Sequence, residues 1–227
     1  MKRSEINEII TKVMKKCEEN NLPLPPFAYY SLKDWKKAKE EYQEAIDTML
    51  GWDVTDFGTG DFYSTGLAVF VFRNGSFNKS ERYPKPYCEK LLYVFDGQKL
   101  PNHFHWQKCE DIINRGGGDL KITLWEADEE ENLSDKDVTV TIDGKKHTVK
   151  AGGSVILKPG ESITLLPYQY HQWQAVPGTG DVFVFEVSTT NDDNVDNRFY
   201  NIGDRIPEVI EDEEPKYLMF SDYDKFL

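Results

Sequence analysis

Positive charge is in short supply: 27 Lys and Arg stand against 40 Asp and Glu in 227 residues, a net charge of −13. A protein of that sign repels phosphate backbones and anionic membrane surfaces, so neither a nucleic acid nor a membrane is expected as a partner. Long apolar runs are missing as well. None approaches the roughly 18 residues of a membrane span, and the opening MKRSEINEII lacks the apolar core of a secretory signal. Cysteine is scarce, and Cys17, Cys88 and Cys109 stand at spacings that fit no zinc motif. A chain of this length needs no disulfides, so the expected home is a reducing cytoplasm. Histidine is scarce in the most useful way. With four in the chain, any motif that takes several takes most of the supply.

What is present falls into two periods. Ile6, Ile9, Ile10, Val13, Met14 and Cys17 recur at helical steps after an N-cap expected at Ser4. Ser31 and Asp34 form a capping box for a second helix with the stripe Trp35, Ala38, Tyr42, Ala45, Ile46 and Met49, ended by Gly51. Neither stripe can bury itself on the other, so both helices are expected to pack on the outside of the remaining chain. Beyond Gly51 the period shortens. Strand-like segments are read at residues 67–72, 91–95, 121–125, 138–142, 147–149, 155–157, 163–166 and 182–187, several closed by Asn-Gly or Asp-Gly turns. Short strands without interleaved helices make an antiparallel sandwich or barrel, a mainly β fold. Residues 1–51 are taken as an N-terminal helical pair packed on a barrel of residues 52–227, whose acid-rich segment 208–214 is read as a solvated surface stretch.

The chemistry concentrates in GQKLPNHFHWQKCE at residues 97–110. On a strand His103 and His105 share a face, so two imidazoles can share a metal. Glu110 follows at a distance that lets the chain return a carboxylate to the same face. PYQYHQWQA at 167–175 offers His171 at the start of another strand, after a proline turn. His147, among Lys145, Lys146 and Thr148 beside a hairpin turn, is read as exposed and idle, and Cys109 as a small core residue facing away.

Glycine, five residues, His-x-His, four residues, Glu, six residues, Gly is the first sequence motif of the cupin superfamily, and Gly97 to Gly117 matches it position by position. The segment around His171 resembles the second motif but is one residue shorter and lacks its glycine. The resemblance implies a cupin (double-stranded β-helix, jelly-roll) barrel with His103, His105, Glu110 and His171 as metal ligands. Such a set leaves two open positions on a six-coordinate ion, as a substrate binding through two oxygens needs. Ligands without sulfur disfavour a structural zinc site but leave Mn²⁺, Fe²⁺, Co²⁺, Ni²⁺ and Zn²⁺ compatible.

Beyond the motifs the chain resembles the longer, cupin-type D-lyxose isomerases. The likeness runs through LPLPPFA at 22–28, WDVTDFG at 52–58, YPKPYCEK at 83–90, EVSTTNDDN at 186–194 and NRFY at 197–200. It implies an enzyme that interconverts D-lyxose and D-xylulose, and D-mannose and D-fructose, uses Mn²⁺ (with Co²⁺ as a substitute), and forms a homodimer. A neutral sugar also suits the charge balance. Glu186, in an otherwise apolar strand, and Lys90, at the head of another, are the candidate catalytic groups. Together with His103 and Glu110, and with Asp196 and Arg198 in the following loop, they are the candidate substrate contacts. Trp106, Trp173 and Tyr168 flank the ligands as a candidate aromatic wall. An enediol route and a metal-assisted hydride shift stay open, as do two rivals: an Fe²⁺ dioxygenase and a non-catalytic sugar-binding cupin.

Overall fold

The structure is a computed structural model that describes residues 1–193, 195–201 and 207–227. Asn194, the last residue of one segment quoted above, lies outside the described residues. Three helices lead: α1 (Arg3–Glu19), α2 (Leu32–Ala38) and α3 (Gln43–Asp47). The strands are β1 (Gly51–Thr55), β2 (Leu67–Arg73), β3 (Tyr87–Val94), β4 (Lys99–Phe104), β5 (Glu110–Gly117), β6 (Leu120–Glu126), β7 (Val138–Ile142), β8 (Lys145–Val149), β9 (Ser154–Leu157), β10 (Ser162–Leu165), β11 (Gln169–Ala175), β12 (Val182–Thr189) and β13 (Arg198–Phe199), and a last turn, α4 (Tyr223–Phe226), closes the chain. They form one sheet in the order β1-β2-β3-β12-β5-β10-β7-β8 and a second in the order β13-β4-β11-β6-β9.

Residues 67–72 of β2 and 91–94 of β3 are continuous apolar runs because the large sheet is covered on both faces. Leu67, Val69 and Val71 point into the core shared with the small sheet, while Ala68 and Phe70 meet Ile6, Ile10 and Val13 of α1. On β3, Leu92 and Val94 face inward and Leu91 and Tyr93 outward. The same parity sends Lys90 inward. Strand β5 escaped the sequence reading: Ile112 is its one fully buried aliphatic residue, flanked by Glu110 and Asn114 on the same face.

The helices depart from expectation in three ways. Helix α1 is capped at Lys2, not Ser4, because the Ser4 N–H and hydroxyl both donate to Asp212, at 3.0 and 2.8 Å. Acidic segment 208–214 is therefore not simply solvated. Glu211 pairs with Arg3 and Glu213 accepts from Asn7, so exposed carboxylates clasp the first turns of α1, where an anion is favoured. The second helix does open on the Ser31–Asp34 capping box, but it breaks after Ala38. In one continuous helix residues 35 and 42 would stand about 10 Å apart along the axis; the break lets the Trp35 and Tyr42 rings meet edge to face at 5.7 Å. Trp35 and Ala45 thereby join the interior core, whereas only α1 lies on the outer face of the large sheet. Among the described residues no helix is long and apolar enough to cross a membrane.

Candidate metal centre

Both sheets contribute to one cluster. His103 on β4 stands opposite His171 on β11, and the pairing slips just beyond them, between His171 and Trp173. Such irregularities re-aim side chains next to functional sites. Two motif glycines shape the approach. Gly97 turns the chain into β4 with φ +76°, and at Gly117, with φ +91°, a Cβ would sit 2.0 Å from the Asp181 carbonyl oxygen. In the turn before β11, Tyr168 takes the left-handed backbone (φ +63°) after Pro167, where the shortened second motif has lost its glycine.

His105 lies just past the end of β4, and Glu110 opens β5 on the large sheet. The three imidazoles place ligand atoms within 4.8 Å of one another. His171 Nε2 is 3.2 Å from His103 Nε2 and 3.1 Å from Glu110 Oε1, and His105 Nε2 is 3.6 Å from the same oxygen. Each ring is oriented from behind: Nδ1 faces the carbonyl of Pro101 in His103, of Asp196 in His105 and of Gln169 in His171. A carbonyl only accepts, so each neutral ring holds its proton on Nδ1 and turns the Nε2 lone pair inward.

Three lone pairs and a carboxylate thus face one another without a shared proton. Burial, with His171 and His105 beside it, holds His103 well below the usual imidazole range; burial and the Lys108 ammonium depress His105. For Glu110, burial pushes upward, but Lys108 and His105 hold the carboxyl well below its ordinary value. Among the described residues, His105 Nε2 and both Glu110 oxygens are buried without a hydrogen-bond partner. Unsatisfied buried acceptors that converge are destabilising unless a cation joins them, and the donor set of three imidazoles and a carboxylate fits a divalent ion.

Beside this cluster lies a second one. Lys108 Nζ donates to Glu186 Oε1 at 2.8 Å and forms an ion pair with Glu110 Oε2 at 2.6 Å, without hydrogen-bond geometry. Lys90 Nζ lies 3.3 Å from Glu186 Oε1 and 3.5 Å from Asp193 Oδ1, as the β3–β12 register that pairs Lys90 with Glu186 requires. Burial lowers the Lys90 pKa, but Asp193 and Glu186 overcome it; Glu110 and Glu186 do the same for Lys108. All these groups line one cavity with Asn197, Phe199, Trp173, Leu67, Val69, Leu92 and Leu100. A wider groove beside α1, about 710 Å³ between Met14, Leu22 and Tyr217, holds no such convergence.

The sequence candidates divide accordingly. His103, His105, Glu110, His171, Lys90 and Glu186 come together, but Asp196 and Arg198 do not line the cavity. The Asp196 carboxylate is fully buried and accepts the Gln107 and Lys108 N–H groups at 2.9 and 3.0 Å, while its carbonyl orients His105. Arg198 pairs with Glu131 at 3.3 Å instead. Asp193 and Asn197 take the places assigned to them. Lys108 went unnoticed: it lies in the irregular segment between β4 and β5, where strand alternation gives no signal. Of the three aromatics only Trp173 reaches the cavity; Trp106 and Tyr168 pack on Phe104. His147 lies half-buried on edge strand β8, remote from the cluster, and Cys109 is half-buried and not in the core.

Two antiparallel sheets enclosing three histidines and a glutamate at cupin-motif spacing define a cupin. Solved L-ribose isomerases share this architecture: that of Acinetobacter sp. DL28 aligns with a TM-score of 0.56 at 15% identity, covering 88% of this chain and 92% of that one. That of Cellulomonas parahominis gives 0.55 at 14%, with the same coverage. The D-lyxose isomerase family model matches residues 1–223, and the chain belongs to that family. It is 45% identical to a D-lyxose/D-mannose isomerase of Escherichia coli O157:H7 and 44% identical to one of Serratia proteamaculans, each over the whole of both chains.

Proposed function

We propose that this protein is an aldose–ketose isomerase that interconverts D-lyxose with D-xylulose and D-mannose with D-fructose. The observation that carries the reading is the adjacency, beside one cavity, of an inward-facing Nε2 triad with Glu110 and a hydrogen-bonded Glu186–Lys108 pair. Full-length relatives at 44–45% identity named D-lyxose/D-mannose isomerase support it.

An aldose becomes a ketose when a hydrogen leaves C2 and arrives at C1 while the hydroxyl proton on O2 is replaced by one on O1. Glu186 is the group placed to move the carbon-bound proton. It is buried between the Lys90 and Lys108 ammoniums, and unlike Glu110 it is not turned into the histidine cluster. The charged side chains of the cavity are two ammoniums and three carboxylates, with Asp193 the third, leaving one negative charge. A divalent ion held by His103, His105, Glu110 and His171 would reverse that sign and polarise the sugar's carbonyl and neighbouring hydroxyl. Lys90, Asp193 and Asn197 are placed to orient the remaining hydroxyls, and burial of the acid–base pair excludes water from the reacting carbons.

Mn²⁺ is the proposed ion, with Co²⁺ as a substitute, in a cytoplasmic homodimer. A reducing compartment suits three unpaired cysteines. The test is incubation of the purified protein with a panel of aldoses and Mn²⁺, followed by ketose detection. D-Lyxose and D-mannose are the expected substrates, with activity lost on chelation and restored by Mn²⁺. Full activity in metal-free protein, or oxygen consumption in place of ketose, refutes the proposal.

A further inference from the structure

Unused hydrogen-bonding capacity in this cavity is not confined to the candidate metal ligands. Trp173 follows His171 by two residues on β11, faces the same way, and stacks on its ring at 5.9 Å and 26°. It is 2% exposed and lines the cavity. Its indole N–H can only donate, and it has no acceptor among the described residues. Buried indole N–H groups normally find one. Two others here do: Trp52 donates to the Ala28 carbonyl at 2.8 Å and Trp106 to Glu131 at 2.7 Å. The aliphatic part of the wall, Leu67, Val69, Leu92 and Leu100, offers no side-chain acceptor, and Leu100 is the residue paired with Trp173 across β4; the cavity's acceptors include Asn197 and the carboxylates, and among the described residues none receives the indole N–H.

We infer that the Trp173 N–H is kept for the sugar: it donates to a hydroxyl oxygen on a carbon beyond the C1–C2 pair and so sets which aldoses fit. A donor fixed in an apolar wall discriminates more sharply than the wall itself, because a sugar that fails to present an oxygen there leaves a buried N–H unsatisfied. Trp173 is thus a specificity residue and takes no part in proton transfer. The inference rests on the proposal that the cavity takes a sugar, but not on turnover.

Calorimetric titration of the Mn²⁺-loaded protein with D-xylulose, D-fructose and their monodeoxy analogues reads binding whether or not conversion occurs. Trp173→Phe keeps a ring against His171 and deletes the donor. Its expected effect is a roughly 5–10-fold weaker ketose affinity, the size of one neutral hydrogen bond, with metal content unchanged. One deoxy analogue should bind the wild type weaker by a similar factor and bind the variant no worse than the parent ketose does. Replacing the Trp173 indole by its benzothiophene isostere, which preserves shape, should repeat the result and separates donor loss from misfolding. Unchanged ketose affinity in the isostere, or equal deoxy penalties in wild type and variants at every position, overturns the inference. Sugar binding without conversion refutes the isomerase reading alone; no sugar binding by the wild type refutes both.

Discussion

Two buried clusters of charge in this protein look alike in composition and differ in completeness. Arg3, fully buried, is gripped by two carboxylates. Nε and Nη2 donate to Glu211 at 2.8 Å, and Nη1 and Nη2 donate to Asp222 at 2.7 Å. Asp222 also accepts the Met219 N–H, and the guanidinium lies over the Phe226 ring. Paired on both forks, this cluster ties α1 to the C-terminal segment. In the cavity, by contrast, His105 Nε2 and the Glu110 oxygens have no hydrogen-bond partner among the described residues, and Lys108 reaches Glu110 only as an ion pair. A satisfied ionic cluster is a fastening; an incomplete one, with a carbonyl behind each ring, suits the metal site proposed above.

That contrast can be broken from either side. The largest expected effect is on chemistry. Glu186→Gln should cut turnover by roughly 10²–10⁴ while leaving bound metal stoichiometric, measured by ketose formation and elemental analysis. A near-normal rate removes Glu186 as the proton carrier. Breaking the fastening should do the opposite. Arg3→Met leaves the buried Asp222 carboxylate without its ion pair and Glu211 with Lys225 alone, at an expected loss of about 3–5 kcal/mol in denaturant unfolding, with turnover per folded molecule unchanged. A drop in turnover that outlasts correction for folded fraction would tie the fastening to the site.

Asp196→Asn probes the boundary between the two kinds of cluster, because Asp196 anchors the turn between His105 and Lys108 without touching the cavity. Loss of an outer partner of this kind weakens metal affinity by roughly 10–100-fold, read by competitive chelation; unchanged affinity denies it that role. A smaller effect is expected in acid. Glu211 has its pKa lowered to about 2 from the ordinary 4.5, chiefly by its hydrogen bonds to Arg3, although burial pushes the other way. Its contribution is therefore fully present above pH 4.5 and is lost as pH falls toward 2. Acid unfolding of the wild type should show this decline between those values, and Glu211→Gln should flatten it. His147→Ala, remote from both clusters, should alter neither metal content nor rate.

Much of the site was legible in the chain because strands alternate. His103 and His105 announced a shared face, and an isolated carboxylate among valines marked Glu186, whereas Lys108, in the irregular segment before β5, carried no such signal. Loop residues carried no such period. Asp196 and Arg198 looked as eligible as Asp193 and Asn197, and only the fold could assign one carboxylate to backbone N–H groups and the other to Lys90. Ends of helices were equally opaque, since Asp212, more than two hundred residues away, displaces Ser4 from its expected capping role.

By itself, then, the sequence singled out the candidate ligand histidines: with four in the chain, two at the spacing of the first motif and a third in a segment resembling the second, the inventory was nearly closed before any fold was known. Tertiary structure alone decided which lone pairs face inward, which ammonium sits between Glu110 and Glu186, and that the Trp173 N–H has no acceptor among the described residues. Those are properties of what a side chain meets across two sheets, and hydrogen-bond satisfaction, unlike periodicity, is set by neighbours distant in the chain.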